Sequence, residues 1–439
     1  MEREFGNDYW KNLDLKYIWH PCTQMKDHQF LPLIPIKYGK GIYLYDYDGN
    51  RYLDAISSWW VNLFGHSNPK INEAIKKQVD KLEHVIFAGF THENAIKLSQ
   101  RLVKIVPKGL KKIFFADNGS SAVEIALKMS YHYHKNRGES RDIFLSLTNS
   151  YHGETIGALS VGDLGLYKDI YSPLLLKNIQ TPVPKDSTKE AAFLALEELE
   201  NIVKKYKNKI SAFIIEPLIQ GAGGMHMYHP IYIKEAKDII KKYNIHLIAD
   251  EIMTGFGRSG TMFAIEQSGI SPDIMTLSKG ITGGYLPLAV VLLTDEIYDQ
   301  FYCDYNPKRN FLHSHSYSGN PISIAAALKV LDIFEEENIL NKNIKKSNIL
   351  KDNLKRFREF KNIENIRVKG MIGAFDIKGF DISQRATLKV YQYALKNGLL
   401  LRPLGNTIYF MPPYIISEEE IEYMVDIAFR GVEELFSSS

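Results

Sequence analysis

Asp273-Ile-Met-Thr-Leu-Ser-Lys279-Gly280-Ile-Thr-Gly-Gly284 is an apolar, strand-like run that ends in Ser-Lys and breaks into glycines. Glycine lets the backbone approach a ligand closely, and a lysine protruding from a strand end keeps its amine half desolvated. That environment suits a lysine that forms a Schiff base. Upstream lies Ile245-His-Leu-Ile-Ala-Asp250-Glu251, a second apolar run that ends in carboxylates. Together the two runs predict that Lys279 carries an aldehyde cofactor and that Asp250 polarises it.

Further strand ends lie outward from this pair. Lys112-Ile-Phe-Phe-Ala-Asp117-Asn118-Gly119-Ser120-Ser121 reads as strand, tight turn and helix start. Ser120 or Ser121 is expected to cap a helix whose free N–H groups and positive dipole end attract a phosphate. Taken alone this is an ordinary turn and cap; its place after a strand is what favours an anion site. The strand Arg141–Thr148 ends in Asn149-Ser-Tyr151-His152-Gly153-Glu154, whose Tyr-His pair can stack on a flat ring and feed a proton network, or form a plain surface turn. Ile210-Ser-Ala-Phe-Ile-Ile-Glu216-Pro217 reads as a buried strand and runs into Gln220-Gly-Ala-Gly-Gly224. Helical patterns at 91–106, 121–135, 188–207 and 231–243 alternate with these strands. The alternation predicts right-handed crossovers and a mostly parallel sheet with ligand groups at the strand ends.

Gly255-Phe-Gly257-Arg-Ser-Gly260 matches the dinucleotide fingerprint, which would make the chain an NAD-linked oxidoreductase. Against it, Asp250 and Glu251 stand between strand and glycines, where they would oppose a pyrophosphate, and the following segment is short for a crossover helix.

Composition narrows the class. With 439 residues, 45% hydrophobic and 24% charged, the chain is a globular protein of two or three domains. The net charge of +3 carries no sustained basic block, so no nucleic-acid partner is expected. No apolar run approaches the ~18 residues that span a bilayer, and the first residues show no export signal, so no membrane partner and a cytoplasmic location are expected. Cys22 and Cys303 form no disulfide framework and match no zinc spacing; His313 and His315 lack a third ligand, so no metal is expected either.

Residues 1–40 hold Trp19-His-Pro, Pro32 and Pro35 and read as an extended, wrapping arm. Gly41–Asp54 is a hairpin around Asp48-Gly49. In Ser57-Ser-Trp59-Trp60 the adjacent indoles cannot both face one core: either one is core and one lies at an interface, or the pair walls an apolar pocket. Phe311–Pro321 is a polar loop that can donate Ser316 to an anion. Residues 335–439 form a second unit in which Arg402 follows an apolar strand, as a carboxylate fork or as an interdomain salt bridge.

The motifs occur in the order of a known family. Trp19-His-Pro, Ser57-Ser-Trp-Trp60, Tyr151-His-Gly-Glu154, Glu216-Pro, Gln220-Gly-Ala-Gly-Gly-Met225, Asp250-Glu251, Gly255-Phe-Gly-Arg258, Ser278-Lys-Gly and Arg402-Pro through Met411-Pro-Pro-Tyr414 resemble the class III aminotransferases over essentially the whole chain. Within that family, the Trp-Trp pair and the Arg402 segment resemble the branch serving biotin biosynthesis. The resemblance implies an α/β, fold type I transferase dependent on pyridoxal 5′-phosphate. Its large domain would surround a mostly parallel seven-stranded sheet, with a smaller α+β domain built from both termini. The boundaries it implies are 1–57 for an arm and part of the small domain, 58–328 for the large domain and 329–439 for the rest of the small one.

It also implies roles. Lys279 would bind the cofactor and shuttle a proton, Asp250 would hold the pyridine nitrogen protonated, and Tyr151 would stack on the ring. Gly119 and Ser120 would bind the phosphate, joined by Ser316 from a neighbouring subunit. Trp59, Trp60, Arg402 and Tyr409 would line the substrate pocket, Arg402 taking the carboxylate of 8-amino-7-oxononanoate. The implied reaction takes an amino group from S-adenosylmethionine to give 7,8-diaminononanoate, in a homodimer with its sites at the subunit interface. Lysine as donor, or another ω-aminotransferase activity, stays open. Cys22 stands where the family often has Tyr, Glu154 where it often has Asp, and His313-Ser-His-Ser-Tyr replaces a His-Gly-Pro-Thr form. Met253 stands where ornithine and 4-aminobutyrate aminotransferases usually have Gln, which argues against those substrates.

Overall fold

The structure, a computed structural model, describes residues 5–437; residues 1–4 of the expected arm and 438–439 of the expected C-terminal unit lie outside them. The chain forms two compact units. The smaller is drawn from the residues up to Pro69, from Asn348–Ile366 and from Gly373 onward; the larger comprises Lys70–Ser347 and Arg367–Ile372.

The larger unit is built on seven strands: β1 (Leu110–Ala116), β2 (Ile143–Leu147), β3 (Asn178–Thr181), β4 (Ile210–Ile215), β5 (His246–Asp250), β6 (Ile274–Leu277) and β7 (Ala289–Thr294). They lie in the order β1-β7-β6-β5-β4-β2-β3. The pairs β5–β6, β5–β4, β4–β2 and β2–β3 are parallel, and β7 is antiparallel to both its neighbours, so β7 alone runs against the rest. Every residue of β4, β5 and β6 is buried. Continuous Ile, Leu, Phe and Ala runs, rather than alternating ones, are what a strand covered on both faces requires.

Helices Gly119–Asn136, Lys189–Tyr206 and Ile231–Lys241 supply crossovers. The first contributes Ala122, Ile125, Ala126 and Met129 to a core with Ala212, Ile214, Ile248, Ile274 and Val291. Each large aliphatic side chain removed from water there contributes ~1.5–3 kcal/mol. Because the strands run one way, β1, β2, β4, β5 and β6 release the chain at one edge, just before Gly119, Tyr151, Glu216, Glu251 and Lys279.

The glycine segment Gly255–Gly260 does not form a nucleotide loop. No crossover helix follows it, only the short 3-10 segment Ala264–Ser268. The Glu251 carboxyl accepts from Ala264 N at 3.1 Å, from Ile265 N at 2.7 Å and from the Thr254 hydroxyl, so a side chain already occupies these donors.

In the smaller unit, residues 5–35 depart from the extended arm read from sequence: Asn7–Tyr17 is an α-helix. The prolines that favour extended chain start only at Pro21, and 7–17 contains neither Pro nor Gly, so local propensity prevails. Asn7 anchors this helix to Asp46 and Asp48 at 2.9 Å each, and Trp10 packs on Tyr47. The hairpin Tyr43–Asp46/Arg51–Asp54 forms as its Asp-Gly turn predicts, and Leu399–Leu400 joins Arg51–Asp54 in parallel. Ile372–Ile377 pairs antiparallel with Thr407–Phe410, and helix Glu418–Ser437 packs on Thr387–Lys396. Among the described residues no helix is long and apolar enough to cross a membrane, and no group of three His, Cys, Asp or Glu could hold a metal ion.

Burial pushes the Glu251 carboxyl from its ordinary 4.5 up to about 7. A raised folded value means its contribution to stability is fullest below pH 4.5 and is lost as the pH rises through about 7. Glu251→Ala would strand its three donors, cost about 3 kcal/mol in urea unfolding and remove that part of the pH slope. An unchanged midpoint would contradict this structural role.

Candidate active site

The strand ends bring together a buried set of titratable groups. Asp250, at the end of β5, is 4% exposed. Its Oδ1 accepts from Ile252 N at 3.1 Å and Thr276 Oγ1 at 3.3 Å, and its Oδ2 lies 2.7 Å from His152 Nδ1. The pairing fixes the Nδ1–H tautomer of His152. His152 Nε2, also buried, has no hydrogen-bond partner among the described residues. Glu216, just past β4, receives Tyr151 N on Oε1 and Gly221 N on Oε2, both at 2.9 Å. Burial pushes its carboxyl up to about 7, with His152 and those two N–H groups pulling the other way.

Lys279 follows β6, the neighbour of β5. It has a φ of 45°, a left-handed conformation that a lysine adopts only under constraint from its surroundings. The residue keeps some accessible surface but lies deep in the protein. Burial lowers its pKa below the ordinary lysine value, while Asp250 and Glu216 oppose the shift. Such an amine loses its proton more readily than a surface lysine and is the better nucleophile.

The turn after β1 is capped by Asn118, whose side chain accepts from Ser121 N at 3.0 Å. This corrects the expected cap at Ser120 or Ser121: Asn118 has the extended backbone of a cap, and Gly119 already opens the helix. As first residues of an eighteen-residue helix, Gly119 and Ser120 have N–H groups with no intrahelical acceptor. Gly119 packs on Ile252, two residues past Asp250. Gly153 has a φ of 124°, and a Cβ there would stand 2.1 Å from Ser120 Oγ. Gly153 thus lets the Tyr151–Glu154 loop close onto the helix start. Tyr151 is half-buried, donates its hydroxyl to Glu154 Oε1 at 3.0 Å and meets Tyr167 edge-on. Ser316 is exposed on a separate loop, which His315 ties towards the end of β1 through Asp117 at 3.4 Å.

The smaller unit holds its own cluster. Trp60 is 4% exposed and donates its indole N–H to the buried Tyr409 hydroxyl at 3.0 Å; Trp59 is 39% exposed. Arg402 lies over the Trp59 ring, 4.5 Å from its centroid, and donates to Cys22 O at 3.2 Å. Among the described residues Arg402 forms no ion pair. Its guanidinium therefore has donors to spare for an external carboxylate.

In the sequence alone Glu216 carries no assigned role and His152 only a general one. An acid closing a fully apolar run is the same signal that marked Asp250, and Glu216 carries it.

This chain belongs to the class-III aminotransferases, whose family model matches residues 23–430. It is 54% identical to the adenosylmethionine-8-amino-7-oxononanoate aminotransferase of Helicobacter pylori (strain ATCC 700392 / 26695) over 94% of this chain and 95% of that one. The crystal structure of the enzyme of that name from Methanocaldococcus jannaschii DSM 2661 matches with a TM-score of 0.93 at 37% identity, covering 97% of this chain and 99% of that chain. An omega transaminase from Pseudomonas jessenii, solved in complex with PMP, matches with a TM-score of 0.89 at 29% identity over 97% and 98%. The seven-stranded, mostly parallel sheet with a smaller α+β unit from both termini is the fold of these transaminases.

Gly153→Ala places a methyl against Ser120 and a side chain in a strained backbone region. It should cost roughly 2 kcal/mol in urea unfolding; wild-type stability in this variant would contradict the close packing.

Proposed function

We propose that this aminotransferase uses pyridoxal 5′-phosphate to move an amino group from S-adenosylmethionine to 8-amino-7-oxononanoate, giving 7,8-diaminononanoate for biotin biosynthesis. The observation that carries the cofactor assignment is the depressed, deep-set Lys279 beside the strand that ends in Asp250. The substrate assignment rests on the similarity to enzymes of that name and on the unpaired Arg402 beside an exposed indole.

The residues present fit the cofactor. Uncommitted N–H groups of Gly119 and Ser120, at a helix start with a positive dipole end, suit a phosphate dianion. Asp250 and the half-buried Tyr151 suit the nitrogen and the face of a pyridine ring, and Lys279 suits its aldehyde. When bound, pyridoxal 5′-phosphate supplies an aldehyde that condenses with amines and a ring that draws electrons from the carbon bearing the amine.

Around that chemistry the chain's own residues have distinct tasks. Lys279 would hold the aldehyde at rest and, once displaced by the incoming amine, its amine would move the proton from the substrate carbon to the carbon on the far side of the shared nitrogen. Asp250 holds a proton on the ring nitrogen, and the His152 N–H fixes the carboxylate that does so. Glu216 pins Tyr151 by its backbone. Arg402 takes the acceptor's carboxylate in bidentate fashion, and Trp59 covers its methylene chain while the buried Trp60, bonded to Tyr409, backs the turn that carries Trp59. Ser316 is assigned to the phosphate of a partner subunit in a cytoplasmic homodimer; sedimentation of the holoenzyme tests the dimer.

Purified enzyme should show a near-ultraviolet and visible absorbance band that hydroxylamine discharges and that Lys279→Ala lacks. Mixing with S-adenosylmethionine should bleach the band. Bleaching by lysine alone would overturn the donor, and absence of any band would overturn the cofactor. Arg402→Ala should raise KM for 8-amino-7-oxononanoate by about tenfold to a hundredfold.

A further inference from the structure

We infer that Asp54 is a specificity-determining positioning residue: it clamps the backbone that presents Trp59 beneath Arg402, and so sets acceptor affinity without touching the acceptor. The inference rests on the assignment of Trp59 and Arg402 to the acceptor.

Ser57, Ser58, Trp59 and Trp60 have φ values of 52°, 45°, 74° and 72°, so four consecutive non-glycine residues make one left-handed turn. The turn is closed by Trp60 N to Ile56 O at 2.9 Å and Val61 N to Ser57 O at 3.0 Å. L-residues resist this hand because Cβ crowds the following carbonyl, so the turn persists only where its surroundings over-determine it. Asp54 supplies most of that determination. It has no accessible surface. Its Oδ1 accepts from Ser58 N at 2.9 Å and Ile56 N at 3.3 Å; its Oδ2 accepts from Ser58 Oγ at 2.7 Å and lies 3.1 Å from His66 Nε2. Asn62 Nδ2 lies 3.2 Å from His66 Nδ1, which leaves His66 Nε2 as the donor to Asp54.

His66 is itself tied on two sides. It exchanges backbone hydrogen bonds with Gly41 at 3.1 and 2.6 Å, and a Cβ on Gly39 would stand 2.7 Å from its own Cβ. The far side of the turn is tied by Ser57 Oγ to Met411 O at 2.6 Å and by the Trp60–Tyr409 bond. Trp60 is thus wedged inward and Trp59 is turned outward to Arg402. A carboxylate suits position 54 because all four contacts are donors, two on each oxygen; Asn would set an NH2 against one of these two pairs.

The test uses holoenzyme carrying Asp54→Asn, Ser58→Ala as a milder variant should the first fold poorly, and Asp54→Asn with Ser58→Gly. Glycine adopts the left-handed conformation freely, so it relieves the need for a clamp. Asp54→Asn should raise KM for 8-amino-7-oxononanoate by about tenfold, leave kcat within about twofold, alter the near-ultraviolet circular dichroism of the tryptophans and keep the cofactor absorbance. Ser58→Ala should do the same to a smaller degree, and added Ser58→Gly should recover part of the lost affinity. An unchanged tryptophan spectrum, or a fall in kcat at constant KM, would overturn the inference. Should wild-type enzyme reject 8-amino-7-oxononanoate, the acceptor assignment falls, while the tryptophan spectrum of Asp54→Asn still decides the clamp.

Discussion

Parallel strands must leave a sheet at the same edge, and the larger unit is shaped by that constraint. β2, β4, β5 and β6 share a direction, so their apolar runs, which cannot end in water without polar residues, all end on one side. Tyr151, Glu216, Asp250 with Glu251, and Lys279 lie at or within four residues of those ends. Reversing one strand would carry its functional group to the opposite edge, at least a strand length away. β7, the one reversed strand, contributes none of the candidate groups.

Bringing Lys279, Asp250, His152 and Glu216 into one desolvated region has an electrostatic cost, and the structure offsets it with directed donors. Asp250 receives three, Glu216 two backbone N–H groups, and their negative charge partly counters the desolvation of the Lys279 ammonium. The balance leaves the lysine pKa depressed and Glu216 raised, so the amine tends to neutrality where a surface lysine would be charged. The smaller unit shows the same logic with strain in place of charge: a buried carboxylate with four donors holds a backbone hand that the residues would not choose.

Some of this is legible from the chain alone, and the misses have physical causes. Apolar runs closed by Lys or Asp mark strand ends because burial and its termination are both written in residue type. That the cap falls at Asn118 rather than Ser120 or Ser121 is hidden in the sequence because Asn, Ser and Gly all favour helix starts, and only backbone angles separate Ncap from N1. The helix Asn7–Tyr17 has no strong apolar stripe and no buried residue, so nothing in its pattern announces it. The left-handed turn at Ser57–Trp60 contains no glycine, the residue that normally signals positive φ.

Residue type and spacing within a short window are enough for the alternation of strand and helix, the mostly parallel sheet and the chemical groups at its edge. The chain's motifs also carried the resemblance to class III aminotransferases. Tertiary structure alone decided the partners: His152 with Asp250 across 98 positions, Glu216 with Tyr151 across 65, and Tyr409 with Trp60 across 349. It also decided which tryptophan is buried and how far the Lys279 amine is desolvated. Hydrogen bonds and burial act over ångströms in space, and distance along the chain carries no record of them.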